Sequence, residues 1–309
     1  VNRPTPTAVL HSLIGPVDGP RSDMKDCPLQ SRTTTRRRHL GATLRKLREK
    51  SGLTLEEAGG RVGVSKATVS RYETQAGPVK WPIVDALCRE YGATAAERNA
   101  VVSLAKDAKQ QGWWSSFADS IPEGMNLLLT LEHEAAREDH FSCVYVPGLL
   151  QTRDYSNAVQ QANELRLGQQ EIDRLVDIRM KRQEILTRAQ PPHLWAILDE
   201  SVLRRVVGSP EVMRAQLERL LVENESPHVT LQVLPFSKGA HAAALGSFVI
   251  LGGTEPSLDV VYVDLHTGSL FMETEAELDR YRLAFEYLRA QALDIEASSS
   301  LIRRISKEL

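Results

Sequence analysis

The stretch Leu53–Glu73, LTLEEAGGRVGVSKATVSRYE, constrains the fold of this chain more than any other part of it. It predicts two short helices joined by a tight turn at Val62-Gly63-Val64. Thr54 is placed to cap the first helix, and Glu57 three residues on completes a capping box. Ser65 is placed to cap the second. Ala58, Val62, Val64, Val69 and Tyr72 fall where two crossed helices would pack. Lys66, Ala67, Thr68, Ser70 and Arg71 are then left facing outward. One feature works against the pattern: Gly59 and Gly60 each cost about 1 kcal/mol relative to alanine inside a helix, so the first helix is expected to be soft.

A second helix with a small, polar and basic outer face has the shape of a recognition helix for the DNA major groove. The segment resembles the helix-turn-helix of Xre-type (lambda-repressor-like) bacterial regulators in LT-EE at Leu53, Thr54, Glu56 and Glu57, in GVS at Gly63–Ser65, and in S-R-x-E at Ser70, Arg71 and Glu73. It departs from that pattern at Leu55, where many members carry a polar residue, and at Gly59-Gly60. The resemblance implies binding to double-stranded DNA. Lys66, Ser70 and Arg71 would lie at base edges, with Arg71 or Lys66 reading guanine; Ser65 and Thr68 would hold phosphates or bases, and Ala67 a thymine methyl. One such domain reads a short site, so a homodimer on a two-fold operator is expected.

Charge is distributed to suit this reading. Residues 1–111 hold 19 Lys/Arg against 11 Asp/Glu, a net of +8, whereas residues 112–309 hold 19 against 29, a net of −10. The basic excess lies on the part carrying the motif, the electrostatic footprint of a DNA-binding half joined to an acidic half. Residues 1–31 are rich in Pro, Gly, Ser and Asp without apolar periodicity and read as disordered. With Arg32, Arg36, Arg37 and Arg38 they make residues 1–38 a basic arm able to follow phosphates or enter a minor groove. Met24 is the first methionine, which leaves Val1 and Met24 as alternative starts. The sequence has neither a run of about 18 apolar residues nor the apolar core of a signal peptide. Its three cysteines, Cys27, Cys88 and Cys143, are widely spaced, and a reducing cytoplasm fits them.

Apolar stripes predict five helices over residues 39–111: His39–Ser51, the two of the motif, Pro82–Tyr91, and one opened by a Thr94/Glu97 capping box. Gly112-Trp113-Trp114 starts an α+β domain, residues 112–309, with a small, mostly antiparallel sheet. Helices are expected at Leu127–Phe141, Arg153–Asn163, Gln169–Arg188, after Ser209-Pro210, after Thr274, and at Ser300–Leu309. Strands are expected at Ser142–Val146, Leu194–Leu198, Val229–Leu234, Ser247–Leu251, Asp259–Leu265 and Ser269–Met272, the last three in meander order.

This second domain carries a resemblance of its own. VPGLLQTRDY (Val146–Tyr155), RMKRQEIL (Arg179–Leu186), LDESVLRRVVG (Leu198–Gly208), MRAQLERLL (Met213–Leu221), VLPFSKGAHAA (Val233–Ala243) and VVYVD (Val260–Asp264) are similar to a C-terminal domain of unassigned function behind Xre helix-turn-helices in actinobacterial regulators. Such proteins are often encoded beside very small acidic partner proteins. The resemblance implies a sensing or partner-binding half, answering a small-molecule effector or a partner protein, and supplies no catalytic residues.

Enzymatic signatures are weak. His133-Glu134-Ala135-Ala136-Arg137 lacks the second histidine of a zinc-binding HExxH helix. Neither a G-x-S-x-G elbow nor a P-loop is present. No metal, cofactor or catalytic residue is therefore expected. The loop Pro235–Ala244 places Lys238 and His241 between two strands, where ligands often bind. Glu132, Glu134, Arg137 and Glu138, with Arg179, Lys181, Arg182 and Glu184, form either a solvated helix face or a polar pocket, and Lys238, His241, Arg182 and Glu132 are the candidates for a ligand or partner site. Trp113-Trp114 is expected to pin the linker to the second domain. The overall expectation is a transcriptional regulator. An antitoxin-like partner-binding protein with autoregulatory DNA binding, and an enzyme built around His241, are the alternatives.

Overall fold

The computed structural model describes residues 35–74, 79–106, 113–117, 121, 125–253, 259–266 and 268–309. The N-terminal part is helical, with α1 Thr35–Lys50, α2 Leu55–Val62, α3 Lys66–Glu73, α4 Trp81–Glu90 and α5 Ala95–Lys106. Leu40, Leu44 and Leu47 of α1 meet Ala58, Val69, Tyr72, Val84, Leu87, Cys88 and Val101 in one core. The caps form as the sequence predicts. Thr54 and Glu57 close a reciprocal box at α2, and Ser65 Oγ accepts from Thr68 N at α3. Gly63 ends α2 in the left-handed region at φ 74°, which a side chain with a Cβ adopts at a cost.

Two expectations change here. Helix α1 starts at Thr35, so Arg36, Arg37 and Arg38 belong to its first turn and not to an extended arm. Arginine is a good helix former and no Gly or Pro separates these residues from Leu40. The side chains of residues 35–39, and residues 1–34 entirely, lie outside the described residues. The second change concerns α2. A Cβ at Gly59 would lie 2.6 Å from the Val64 carbonyl oxygen, so Gly59 lets α2 and the start of α3 approach closely. It is a packing requirement of the turn, not a soft spot.

The C-terminal domain is α+β. After a 3-10 turn at Trp113–Phe117 come α6 Met125–Glu134, β1 Arg137–Ser142, α7 Arg153–Asn163, α8 Gln169–Arg182 and β2 His193–Asp199. They are followed by α9 Glu200–Arg204, α10 Pro210–Glu223, β3 Val229–Leu234, β4 Phe248–Gly252, β5 Val260–Leu265, β6 Gly268–Met272, α11 Glu275–Gln291 and α12 Ile295–Glu308. The six strands form one mixed sheet in the order β3-β2-β1-β4-β5-β6. β1, β2 and β3 run parallel, joined through helices, and β4, β5 and β6 complete the sheet by three antiparallel pairings.

Strand alternation divides the core. On one face, Leu194, Ala196, Leu198, Val229, Leu231 and Val233 pack under α7, α10 and α12 with Tyr155, Met213, Leu217 and Ile302. On the same face Leu251 and Val260 lie under Leu127, Leu128 and Leu131 of α6. The opposite face packs Phe141, Ile197, Phe248 and Ile250 against Leu278, Phe285 and Leu288 of α11. The β3 edge is closed. Val233 N donates to Ser298 Oγ, Leu293 N donates to the Val233 carbonyl, and Leu231 N donates to Asn224 Oδ1.

The predicted helix Leu127–Phe141 is in fact α6 followed by β1. Arg188 donates to the carbonyls of His133 and Ala135 and so stops α6 there. The strand expected at Ser142–Val146 starts five residues earlier, because β1 is sandwiched between β2 and β4. The final helix begins at Ile295, where Asp294 Oδ1 accepts from Ala297 N, and not at Ser300.

Candidate nucleic-acid interface and a buried polar site

The outward side of α3 is built by what fixes its inward side. Val69 and Tyr72 are fully buried. Arg48 of α1 grips Glu73 through two parallel hydrogen bonds of 2.7 and 2.9 Å, and its remaining nitrogen donates to the Leu53 carbonyl at 2.9 Å. This planar fork fixes the rotation of α3 about its axis. Lys66, Ala67 and Arg71 then project into solvent, with Thr68 and Ser70 half-buried at their margin. Ser65 and Thr68 hydroxyls bond each other at 3.0 Å, so the cap is internally satisfied.

The cations around α3 are treated unequally. Arg45 pairs with Glu49, Arg61 with Glu90, Lys50 with Glu97, and Arg89 and Arg98 with Asp85. Lys46 reaches Glu275 of α11 at 2.7 Å. Among the described residues, Lys66, Arg71 and Lys80 carry no such partner. The sequence had singled out the first two. Lys80 was missed because it lies outside the motif, at the start of α4, where its backbone N–H donates to the Tyr72 hydroxyl.

The second site lies inside the C-terminal domain. Six consecutive residues of α6, Leu127–Glu132, are buried, and Glu132, at the end of this run, is 1 % exposed. Arg182 of α8 meets it with a two-pronged ion pair through Nε and Nη2. Glu138 and His140 point to the same face from β1, with His140 Nε2 2.9 Å from Glu138 Oε2. Burial pushes the Glu132 and Glu138 carboxyls up to about 7, against the opposing pull of Arg182. Burial likewise pushes His140 down to about 4, leaving a neutral imidazole at neutral pH. Arg179, one turn before Arg182, is lowered to about 10 by burial and by the neighbouring guanidinium.

Two of the phrases that the sequence marked, Val146–Tyr155 and Arg179–Leu186, meet beside this cluster. From Val146–Tyr155, Gln151 accepts from Arg179 Nη1 at 2.8 Å, and the carbonyls of Gly148 and Gln151 accept from Gln183. Beside the cluster opens a cavity of about 180 Å³ walled by Trp113, Leu129, Glu132, Arg182, Ile185 and Arg188, among others. Trp114 meets the His133 ring edge-on, centroids 5.9 Å apart. The linker tryptophans therefore lie against α6.

The candidate set Lys238, His241, Arg182 and Glu132 is not one site. His241 packs on Phe141, ring centroids 5.4 Å apart, on the face of β1 opposite to Glu138 and His140, and Lys238 is exposed on the same loop. The sheet separates this loop from Arg182 and Glu132. The solvated-face reading also fails for Glu132 and Glu138, which are 1 % and 0 % exposed. Their burial follows from β1, which the helical reading of 127–141 had concealed. Among the described residues no three His, Cys, Asp or Glu side chains gather as a metal site, and no helix is long and apolar enough to cross a membrane.

Comparison with known proteins fits this division. Residues 39–101 match a helix-turn-helix domain model, and residues 125–304 match a domain of unknown function, DUF5753. No curated protein and no solved structure matches the chain. The second match covers more than half of the sequence, so the chain belongs to the DUF5753 family, with a DNA-binding helix-turn-helix domain in front of the family's domain.

Proposed function

We propose that this chain is a sequence-specific transcriptional regulator, a binding protein and not an enzyme, that reads a two-fold DNA site as two copies. In this reading its C-terminal domain takes the controlling signal, a small molecule or a partner protein, at the cavity beside Arg182 and Glu132. The observation that carries the DNA-reading part is the exposure of Lys66 and Arg71 on α3 without an internal counter-charge, while the neighbouring arginines are paired. Unpaired cations on a helix held rigid by Arg48–Glu73 are available to guanine edges and phosphates at no cost in broken ion pairs. For the signal-receiving part, the cavity is walled by residues 181–188 at and after the end of α8, by α6 and by Trp113, and the last two are the segments next to the DNA-binding domain in sequence.

The test is in-vitro selection of double-stranded DNA by the full chain and by its Arg71→Ala variant, at one stated salt concentration. A shared inverted repeat selected by the wild type, with relaxed preference at one base pair per half-site in the variant, is the expected result. Selection of no motif by the wild type would refute the proposal.

A further inference from the structure

The two edges of the C-terminal sheet are finished differently. The β3 edge is closed by Asn224, Leu293 and Ser298. The β6 edge is bonded to β5 on its inner side, and among the described residues no other backbone hydrogen bond involves Gly268–Met272. In an antiparallel strand alternate residues direct both N–H and C=O away from their ladder, so roughly two or three of these five residues present a bonding pair outward. Strand edges left to solvent are ordinarily guarded by charge, by proline or by a bulge. β6 reads GSLFM and has no charge and no proline. Leu270 on it and Leu265 beside it are 47 % and 53 % exposed.

We infer that β6 is the dimerisation edge: it pairs antiparallel with β6 of a second copy of this chain about a two-fold axis, joining the two sheets into one. The occupant follows from the strand's own character. Only another extended strand can satisfy the outward backbone groups. A strand paired with itself is antiparallel and self-complementary by symmetry. The absence of charge means that no like charges face each other across the axis, and the exposed Leu270 lies on the pairing strand itself. The inference rests on the proposed reading of DNA by two copies, for which it names the joining surface. A five-residue strand gives a weak contact, so off DNA the pairing lies in about the micromolar range, and two adjacent half-sites strengthen it by raising the effective concentration.

The test uses the full chain in sedimentation velocity over about 1–100 μM, with hydrogen-exchange mass spectrometry at both ends of that range. The expected result is concentration-dependent dimerisation with slowed exchange at 268–272, and at least about tenfold weaker association in Leu270→Lys. That variant should keep its far-UV circular dichroism and its affinity for a single half-site. A chain that stays monomeric throughout, or a dimer whose 268–272 amides exchange equally at both concentrations, overturns the inference. Protection at 268–272 that does not depend on concentration assigns the edge to a segment of the same chain and also overturns it. Because sedimentation and exchange need no DNA, a failure to select any DNA motif counts against the proposed function alone.

Discussion

Adjacent glycines of α2 should respond to the same substitution with opposite signs. Gly60 has open space where a Cβ would sit, so Gly60→Ala should collect the helix-propensity gain, about 0.5–1 kcal/mol of added stability. At Gly59 the same gain is outweighed. The new Cβ would lie 2.6 Å from Val64 O, 3.2 Å from Ser65 C and 3.3 Å from Lys66 N, all backbone atoms of the turn. No side chain can swing aside, so the turn itself must move, and overpacking of this kind costs about 1–3 kcal/mol. The shift also disturbs the hydrogen bond from Val64 N to Gly59 O and the Ser65 cap of α3, worth about another 1 kcal/mol. Net destabilisation of Gly59→Ala is therefore about 1–3 kcal/mol, and the two variants differ by several kcal/mol at neighbouring positions. Hydrogen exchange of residues 55–73 in the full chain, together with urea unfolding, reads the difference locally and globally. Equal effects of the two substitutions, or a Gly59→Ala protein at least as stable as the wild type, would refute the close-approach argument.

Three further outcomes follow from the sites. Arg182→Ala should destabilise the C-terminal domain by about 3–5 kcal/mol by leaving Glu132 buried without its cation, and Arg182→Met combined with Glu132→Leu should recover most of that loss in chemical denaturation. Glu138 has its folded pKa raised from 4.5 to about 7, so the folded state binds the extra proton between these values and this group's contribution falls as pH rises through that window. The stability of the wild type relative to Glu138→Gln should accordingly decline from pH 4.5 to 7, by up to about 3 kcal/mol at about 1.4 kcal/mol per pKa unit, and a rising difference in pH-dependent urea titrations would contradict the assignment. Lys80→Ala should weaken binding to all DNA sequences alike and reduce the slope of log affinity against log salt by about 1, measured by fluorescence anisotropy.

The helix-turn-helix was legible because its signals are local. Thr54, Glu57 and Ser65 cap within three residues of themselves, and Val69 and Tyr72 mark the inner face by their spacing alone. Gly59 was visible but its meaning was not, since a glycine's reason lies in the atom opposite it, here Val64 O. The polar cluster was half legible. Arg182 and Glu132 were picked out by residue type, yet 50 residues separate them, and no local pattern pairs them. His140 and Glu138 read as helical in the sequence because nothing between Leu127 and Phe141 breaks a helix. Their strand conformation is imposed by β2 and β4, which is tertiary structure overriding local preference. The loop histidine His241 stands out by its chemistry alone, and its packing on Phe141 depends on a partner 100 residues away in the chain.

The closed β3 edge sets how far any sheet-to-sheet assembly can grow. A sheet with one open side can be extended once, after which both outer margins of the joined pair are sealed and growth stops. Loss of the segment carrying Leu293, Ser298 and α12 would unseal β3 and uncover Leu217, Leu220, Leu231 and Val233, the apolar residues of α10 and β3 in the core that Leu301, Ile302 and Ile305 of α12 complete. The same molecule would then have two adhesive sides in place of one, and its natural product would be an open-ended ribbon and not a closed pair. In this sense the C-terminal helix is a chain terminator for assembly, and a C-terminal deletion would be read first as fibrous precipitation and not as loss of DNA binding.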